Sequence, residues 1–229
     1  MTDARLTSQH PAFIAYPSQA AFGRTLPKNK VYEHSGANAR LKDLFVKQVE
    51  QIVWAFKLAP ETLRLPAHPS APEIQVFSLQ LKTPELHHDV LRCIDGAVPF
   101  PILFELTFDG RTQVVAAYKR PNESDATRWV LSDYFATSWL HVGCQRTAMP
   151  VALHMGGLYE QLLRCLIPLL ARPQESLGEL VARVEQVQAK QRELDKTTAR
   201  LTKEKQFNRK VEINASLRKL KFELDDLVR

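Results

Sequence analysis

Three groupings of residues in this sequence have types and spacings that bear on chemistry. The first is Gln80-Leu81-Lys82, which ends the apolar run from Glu73 to Lys82. Nucleases of the restriction-endonuclease fold carry Asp or Glu, any residue, then Lys at a strand end. There the carboxylate holds Mg²⁺ and the lysine positions water. Gln80 stands at the carboxylate position here, an amide is a poor ligand for a hard cation, and no paired strand upstream bears an aspartate. A capped core strand with a solvated lysine is the simpler reading.

The second grouping is His87-His88-Asp89. Consecutive residues on a helix diverge by about 100°, so they cannot turn toward one metal ion. His141, Cys144 and His154 fare no better, because a fourth ligand is missing and the spacing matches no zinc pattern. No metal site is predicted.

The third grouping is the largest. Between Lys196 and Lys221 stand nine basic residues: Lys196, Arg200, Lys203, Lys205, Arg209, Lys210, Arg218, Lys219 and Lys221. Glu204 and Glu212 oppose them, so the segment carries nine minus two, or +7. The whole chain is formally +6, which leaves the remainder at −1. Lys and Arg neutralise phosphates and release counterions, so Lys196, Arg200, Lys203, Lys205, Arg209 and Lys210 are predicted to contact nucleic acid or a partner. The plainer reading is a solvated coiled-coil surface, whose flanking positions Lys and Arg commonly fill.

Other chemistry is absent from the motifs. There is no GxxxxGKS/T or GxGxxG to cradle phosphate, and no GxSxG or HExxH, so no cofactor is predicted. Trp54, Trp129 and Trp139 are not interleaved with basic residues and form no base-stacking platform. Hydrophobic residues at 45% and charged residues at 24% are ordinary for a globular protein. No run of about 18 apolar residues would span a membrane. The N-terminus has no charged-then-apolar export pattern, and Cys93, Cys144 and Cys165 are odd in number and far apart. Together these point to reduced thiols and a cytoplasmic location.

The elements that must position these groups follow from periodicity. Residues 1 to about 38 read as an ordered loop lying on the body. Leu41, Leu44, Phe45, Val49, Ile52, Val53 and Phe56 recur at three and four, which predicts a helix over 39–57. Three prolines between Pro66 and Pro72 give a stiff connector. A strand over 73–82 follows, then a helix capped by Thr83 with Pro84 at its first position, running to Asp95-Gly96. "PILFELTF" and "QVVAAYK" flank Asp109-Gly110, a hairpin signal. A shorter strand near 128–131 comes next. "LYEQLLRCLIPLLA" reads as a buried helix broken by Pro173.

The tail has its own register. Leu177, Leu180, Val184, Val187, Gln191, Leu194, Thr198 and Leu201 step by three and four, and so do Ile213, Leu217, Leu220, Leu224 and Leu227. The two phases do not join, and the break lies in "KEKQFNRKVE". Two helices folded back on each other, or one long bent helix, would satisfy it. The predicted fold is α+β: a small mixed sheet with packed helices over 1–172, then an antiparallel coiled-coil helical hairpin with a basic tip over 173–229.

Several segments together resemble a bacterial family of domains of unknown function. They are "LPKNKVYEH", "LKDLFVKQVEQIVWAFKLAPETLRLP", "EIQVFSLQLK", "CIDGAVPFPILFEL", "VVAAYKR", "YFATSWL" and "KEKQFNRKVEINASLRKLKFEL". The likeness covers roughly residues 22–228, with "EKQFNRKVEIN" its most specific part. It implies an accessory protein encoded beside helicases and DNA methyltransferases in restriction-like, phage-defence loci, and it implies no catalytic residues. Relatives with Glu-x-Lys where Gln80 stands mark a departure here. The expectation is a non-enzymatic subunit that docks on a helicase or methyltransferase partner and reaches DNA, or a DNA-bound subunit, through the basic tip. The alternatives are a degenerate metal-dependent nuclease and a purely protein-binding adaptor.

Overall fold

The computed structural model describes residues 9–122, 124–125 and 128–229. The reading of residues 1–8 as lacking an export signal lies outside them. The chain divides into two compact units, Met1–Leu166 and Ile167–Arg229.

The first unit is built on a seven-stranded mixed sheet. In chain order its elements are β1 (Gln9–Ala15), β2 (Ala21–Thr25), α1 (Lys28–Ser35), α2 (Ala39–Gln48), β3 (Val49–Leu58), α3 (Pro60–Leu63), β4 (Ile74–Leu81), α4 (His88–Ala97), β5 (Ile102–Phe108), β6 (Arg111–Pro121), β7 (Trp129–Ala136), β8 (Leu140–His141), β9 (Gln145–Ala148) and α5 (Met155–Arg164). The order across the sheet is β2-β3-β4-β5-β6-β7, with β8 also pairing with β6. Only β4 and β5 run parallel within it, joined by the crossover helix α4. A separate two-stranded parallel sheet joins β1 to β9.

The main core lies between the sheet and its helices. Phe45, Phe77, Leu79, Val90, Ile94, Phe104, Leu106 and Val115 form one buried cluster. In β5 the residues between them alternate to the opposite face, which places Leu103 and Glu105 there. The hairpin between β5 and β6 turns through Asp109 and Gly110, both at positive φ (45° and 69°), as the Asp-Gly pair demands.

Several elements differ from the periodicity reading. The predicted helix over 39–57 stops at Gln48, and Val49–Leu58 is a strand. Val49, Ile52, Val53, Trp54 and Phe56 satisfy a three-and-four spacing, but they are β-branched and aromatic, and the strand is paired on both sides, with β2 and β4. Helix α2 is ended by two lysines. Lys28 Nζ donates to the carbonyls of Phe45 and Val49 (3.3 and 2.5 Å), and Lys82 Nζ donates to that of Val46 (3.1 Å). The lead-in is a pair of strands and a helix, not a loop. Gly23, at φ 64°, lies where the β2–β3 register shifts. Helix α4 begins at His88 rather than at Thr83, because the His87 Nδ1 accepts the Asp89 N–H at 3.2 Å. Thr83 instead donates to the Glu85 carbonyl in a turn. The sheet is accordingly larger than the small one predicted. The helical run after Gly157 ends at Arg164, short of Pro168, and Leu170 is 92% exposed.

The second unit holds α6 (Leu177–Lys203) and α7 (Phe207–Val228). Ser176 caps α6 in a reciprocal box, its Oγ accepting the Glu179 N–H while Glu179 accepts the Ser176 N–H. The helix gives way at Glu204–Gln206, inside the segment where the two apolar phases fail to join. Leu177, Leu180, Val184, Leu217 and Leu220 are buried. Contacts run in opposite senses along the two helices: Arg183 near the start of α6 meets the Leu227 carbonyl, and Lys190 meets Glu223 at 2.6 Å. Among the described residues, no helix is long and apolar enough to cross a membrane.

Candidate nucleic-acid interface at the junction of two helices

The junction is short and locally braced. Glu204 Oε1 accepts the N–H groups of Lys205 and Gln206 at 2.8 and 2.9 Å. These two donors, then the nearby cations Arg209 and Lys210, hold the Glu204 carboxyl below its ordinary range. Gln206 supplies no side-chain cap to α7. Glu204 thus binds the backbone of the turn and, among the described residues, forms no ion pair within 4.0 Å, while its charge stands among the cations.

Lys196, Arg200, Lys203, Lys205, Arg209 and Lys210 are all exposed; the first three stand in the last turns of α6, Lys205 in the junction itself, and Arg209 and Lys210 in the first turn of α7. Of the nine basic residues between 196 and 221, Lys219 comes within 4.0 Å of a carboxylate, at 3.8 Å from Glu223. The other eight form no ion pair among the described residues. Farther from the junction Glu175 is paired with Arg183 (2.7 Å) and Glu223 with Lys190 (2.6 Å), whereas Glu185, Asp225 and Asp226 are exposed and form no ion pair among the described residues. Between Lys190–Arg200 and Glu212–Glu223 the helices leave a groove of about 410 Å³, where small Thr197 and Ser216 sit. Burial falls off toward the junction: α6 buries Leu177, Leu180 and Val184, whereas Leu194 and Leu201 are half-buried and Gln191 and Thr198 exposed.

The residues considered for catalysis do not come together in the first unit. Lys82 braces α2 and lies 3.5 Å from Glu50, not beside Glu73, Asp89 or Glu105. Glu73 pairs with Lys57 (3.1 Å), and Glu105 makes a bidentate pair with Arg146 (2.7 and 2.8 Å). His87 and His154 each cap a helix through Nδ1, and the Nδ1 of His141 accepts the Gly143 N–H in a turn. Cys144 is a buried thiol. Among the described residues, no group of three or more His, Cys, Asp or Glu is placed to hold a metal.

One buried charged cluster was not foreseen. Lys119, 2% exposed, donates to the Asp95 and Val98 carbonyls at the end of α4 (2.6 and 2.5 Å) and lies 3.7 Å from the Asp95 carboxylate. The Tyr134 hydroxyl donates to the other Asp95 oxygen at 2.5 Å. Burial pushes the Asp95 carboxyl up to about 6, against the opposing pull of Lys119 and Tyr134. Burial likewise lowers Lys119, which Asp95 counteracts. Because the Lys119 ammonium donates to two carbonyls at the end of α4, the cluster braces that helix. Its one sequence signal is alternation, since Val115, Ala117 and Lys119 fall on the same side of β6 as the core.

The chain matches the family model described as "Domain of unknown function (DUF4391)" over residues 14–224. No curated protein and no solved structure matches it. The protein therefore belongs to that family of domains of unknown function.

Proposed function

We propose that this protein is a non-enzymatic accessory subunit of a bacterial anti-phage or restriction-type defence system. In this reading it docks on a helicase or methyltransferase of the same system and contacts DNA, or a DNA-bound subunit, through Lys196, Arg200, Lys203, Lys205, Arg209 and Lys210. The α6–α7 pair acts as an antiparallel coiled-coil hairpin with these residues at its turn. One observation carries the proposal: among the described residues, eight basic residues at and near the turn form no ion pair with a carboxylate. Like charges gathered without counter-charges repel one another, and an anionic partner relieves that repulsion. Phosphates of a nucleic-acid backbone suit such a cluster, because each neutralised phosphate releases a counterion. The opposite-sense contacts of α6 and α7, with Leu217 and Leu220 buried, support the hairpin. The defence setting and the partner class rest on family resemblance.

The restriction-endonuclease alternative has less support. Gln80 replaces the metal-binding carboxylate, and Lys82 is engaged in ending α2. Replacing Lys203, Lys205, Arg209 and Lys210 by Gln and measuring DNA affinity against salt tests the favoured reading.

A further inference from the structure

Phe207 is the first residue of α7, and 78% of it is exposed. Such exposure is not required by the packing of α7. The inward line of that helix runs through Ile213, Leu217, Leu220, Leu224 and Leu227, and at 100° per residue Phe207 falls about 120° round from it, outside the packed face. Among the described residues, no aromatic ring stacks on Phe207 and no cation lies over its face. Its sequence neighbours are cationic: Lys203 and Lys205 precede it, Arg209 and Lys210 follow, and Lys210 at i+3 shares its side of the helix. The tryptophans of this chain have no such setting; between Lys196 and Lys221 the one aromatic is Phe207, while Phe222, 75% exposed, stands between Lys221 and Glu223.

Resting on the nucleic-acid reading above, we infer that this end of α7 takes single-stranded nucleic acid, with Phe207 stacking on an unpaired base while Lys203, Lys205, Arg209 and Lys210 hold the flanking phosphates. In a duplex the base faces cover one another and only phosphates and groove edges are offered, so an exposed ring beside the cations gains nothing from duplex. An unpaired strand offers both a π-face and phosphates, the combination that sequence-tolerant single-strand binders use. An anionic membrane surface is less well matched. Interfacial helices bury a continuous apolar face, whereas the outward side of α7 passes from Phe207 and Val211 through Asn214 and Arg218 before reaching Phe222.

The test compares the intact protein, Phe207→Ala, Phe207→Trp and the four-fold Gln variant. The probes are an oligo-dT of about 16 nucleotides, a duplex of equal length, and vesicles rich in phosphatidylserine. Phe207→Ala is expected to weaken oligo-dT binding about tenfold, leave duplex binding within about twofold, and leave the salt slope unchanged; Phe207→Trp restores the affinity. Equal losses on oligo-dT and duplex, no loss on either, or a Phe207-dependent loss on vesicles alone would overturn the stacking role. If the intact protein binds neither nucleic acid, or the four-fold Gln variant binds both as well as it does, the nucleic-acid reading itself fails and this inference with it.

Discussion

Arg183 and Glu175 meet through two charge-assisted hydrogen bonds, Nε to Oε1 at 2.7 Å and Nη2 to Oε2 at 2.9 Å. The same guanidinium donates to the carbonyls of Leu227 (2.8 Å) and Leu170 (2.7 Å). One side chain therefore ties together the segment before α6, the first turns of α6 and the end of α7. Both partners are buried, at 5% and 9% side-chain exposure. The Glu175 carboxylate is thus engaged by the structure, in contrast to the eight basic residues around the α6–α7 junction that form no ion pair among the described residues.

Arg183→Ala should destabilise the second unit by on the order of 3 kcal/mol, because it removes the guanidinium that a buried carboxylate and two carbonyls share. Urea unfolding followed by helical circular dichroism measures this. A change under about 0.5 kcal/mol, the scale of ordinary surface substitutions, would show that the pair does not hold the helices.

Glu175 is held down to about 2, first by its hydrogen bonds from Arg183. A depressed carboxyl contributes stability above its ordinary range that is lost as pH falls through the folded value. Helical signal from the second unit should therefore weaken between about pH 4.5 and pH 2. In Glu175→Gln that acid-dependent loss should be smaller, the remainder coming from Glu179, Glu204 and Glu223, whose carboxyls are also held low. An unchanged acid titration in this variant would contradict the assignment.

Asp95 gives the opposite sign. Its folded value of about 6 stands above the ordinary 3.8. The contribution is fully present below the ordinary value and is lost as pH rises through the folded one. Over that window the first unit should lose on the order of 3 kcal/mol, from about 1.4 kcal/mol per pKa unit. Asp95→Asn should flatten that part of the stability curve, at some cost from leaving Lys119 without its carboxylate. An identical pH profile in the variant would remove Asp95 as the cause.

A fragment of residues 1–172 should remain folded and soluble, since the main sheet and its core lie within it. Size-exclusion chromatography and a cooperative thermal melt would show this; aggregation or a non-cooperative melt would contradict two separable units.

What could be read from the sequence depended on range. The Asp109-Gly110 turn and the phase break within "KEKQFNRKVE" are local signals, and each marks a boundary in the structure. Residues 49–58 failed as a helix because their apolar spacing fits both periods, and only pairing with β2 and β4 decides between them. The basic cluster was visible as composition. That eight of its nine residues form no ion pair among the described residues was not, because that depends on Glu223 being drawn to Lys190 and Glu204 to its own backbone. The Asp95–Lys119–Tyr134 cluster joins residues from three elements, and no spacing in the sequence brings them together.

The central claim is that the cations at the α6–α7 turn bind nucleic-acid backbone. The most direct measurement is the slope of log affinity against log salt for a mixed-sequence oligonucleotide, in the intact protein and in the variant with Lys203, Lys205, Arg209 and Lys210 replaced by Gln. All four are exposed, so thermal stability should hold or rise slightly as like-charge repulsion is removed. The account predicts weaker binding and a slope flattened by up to about four phosphate equivalents. Unchanged affinity and slope in a fully folded variant would contradict it.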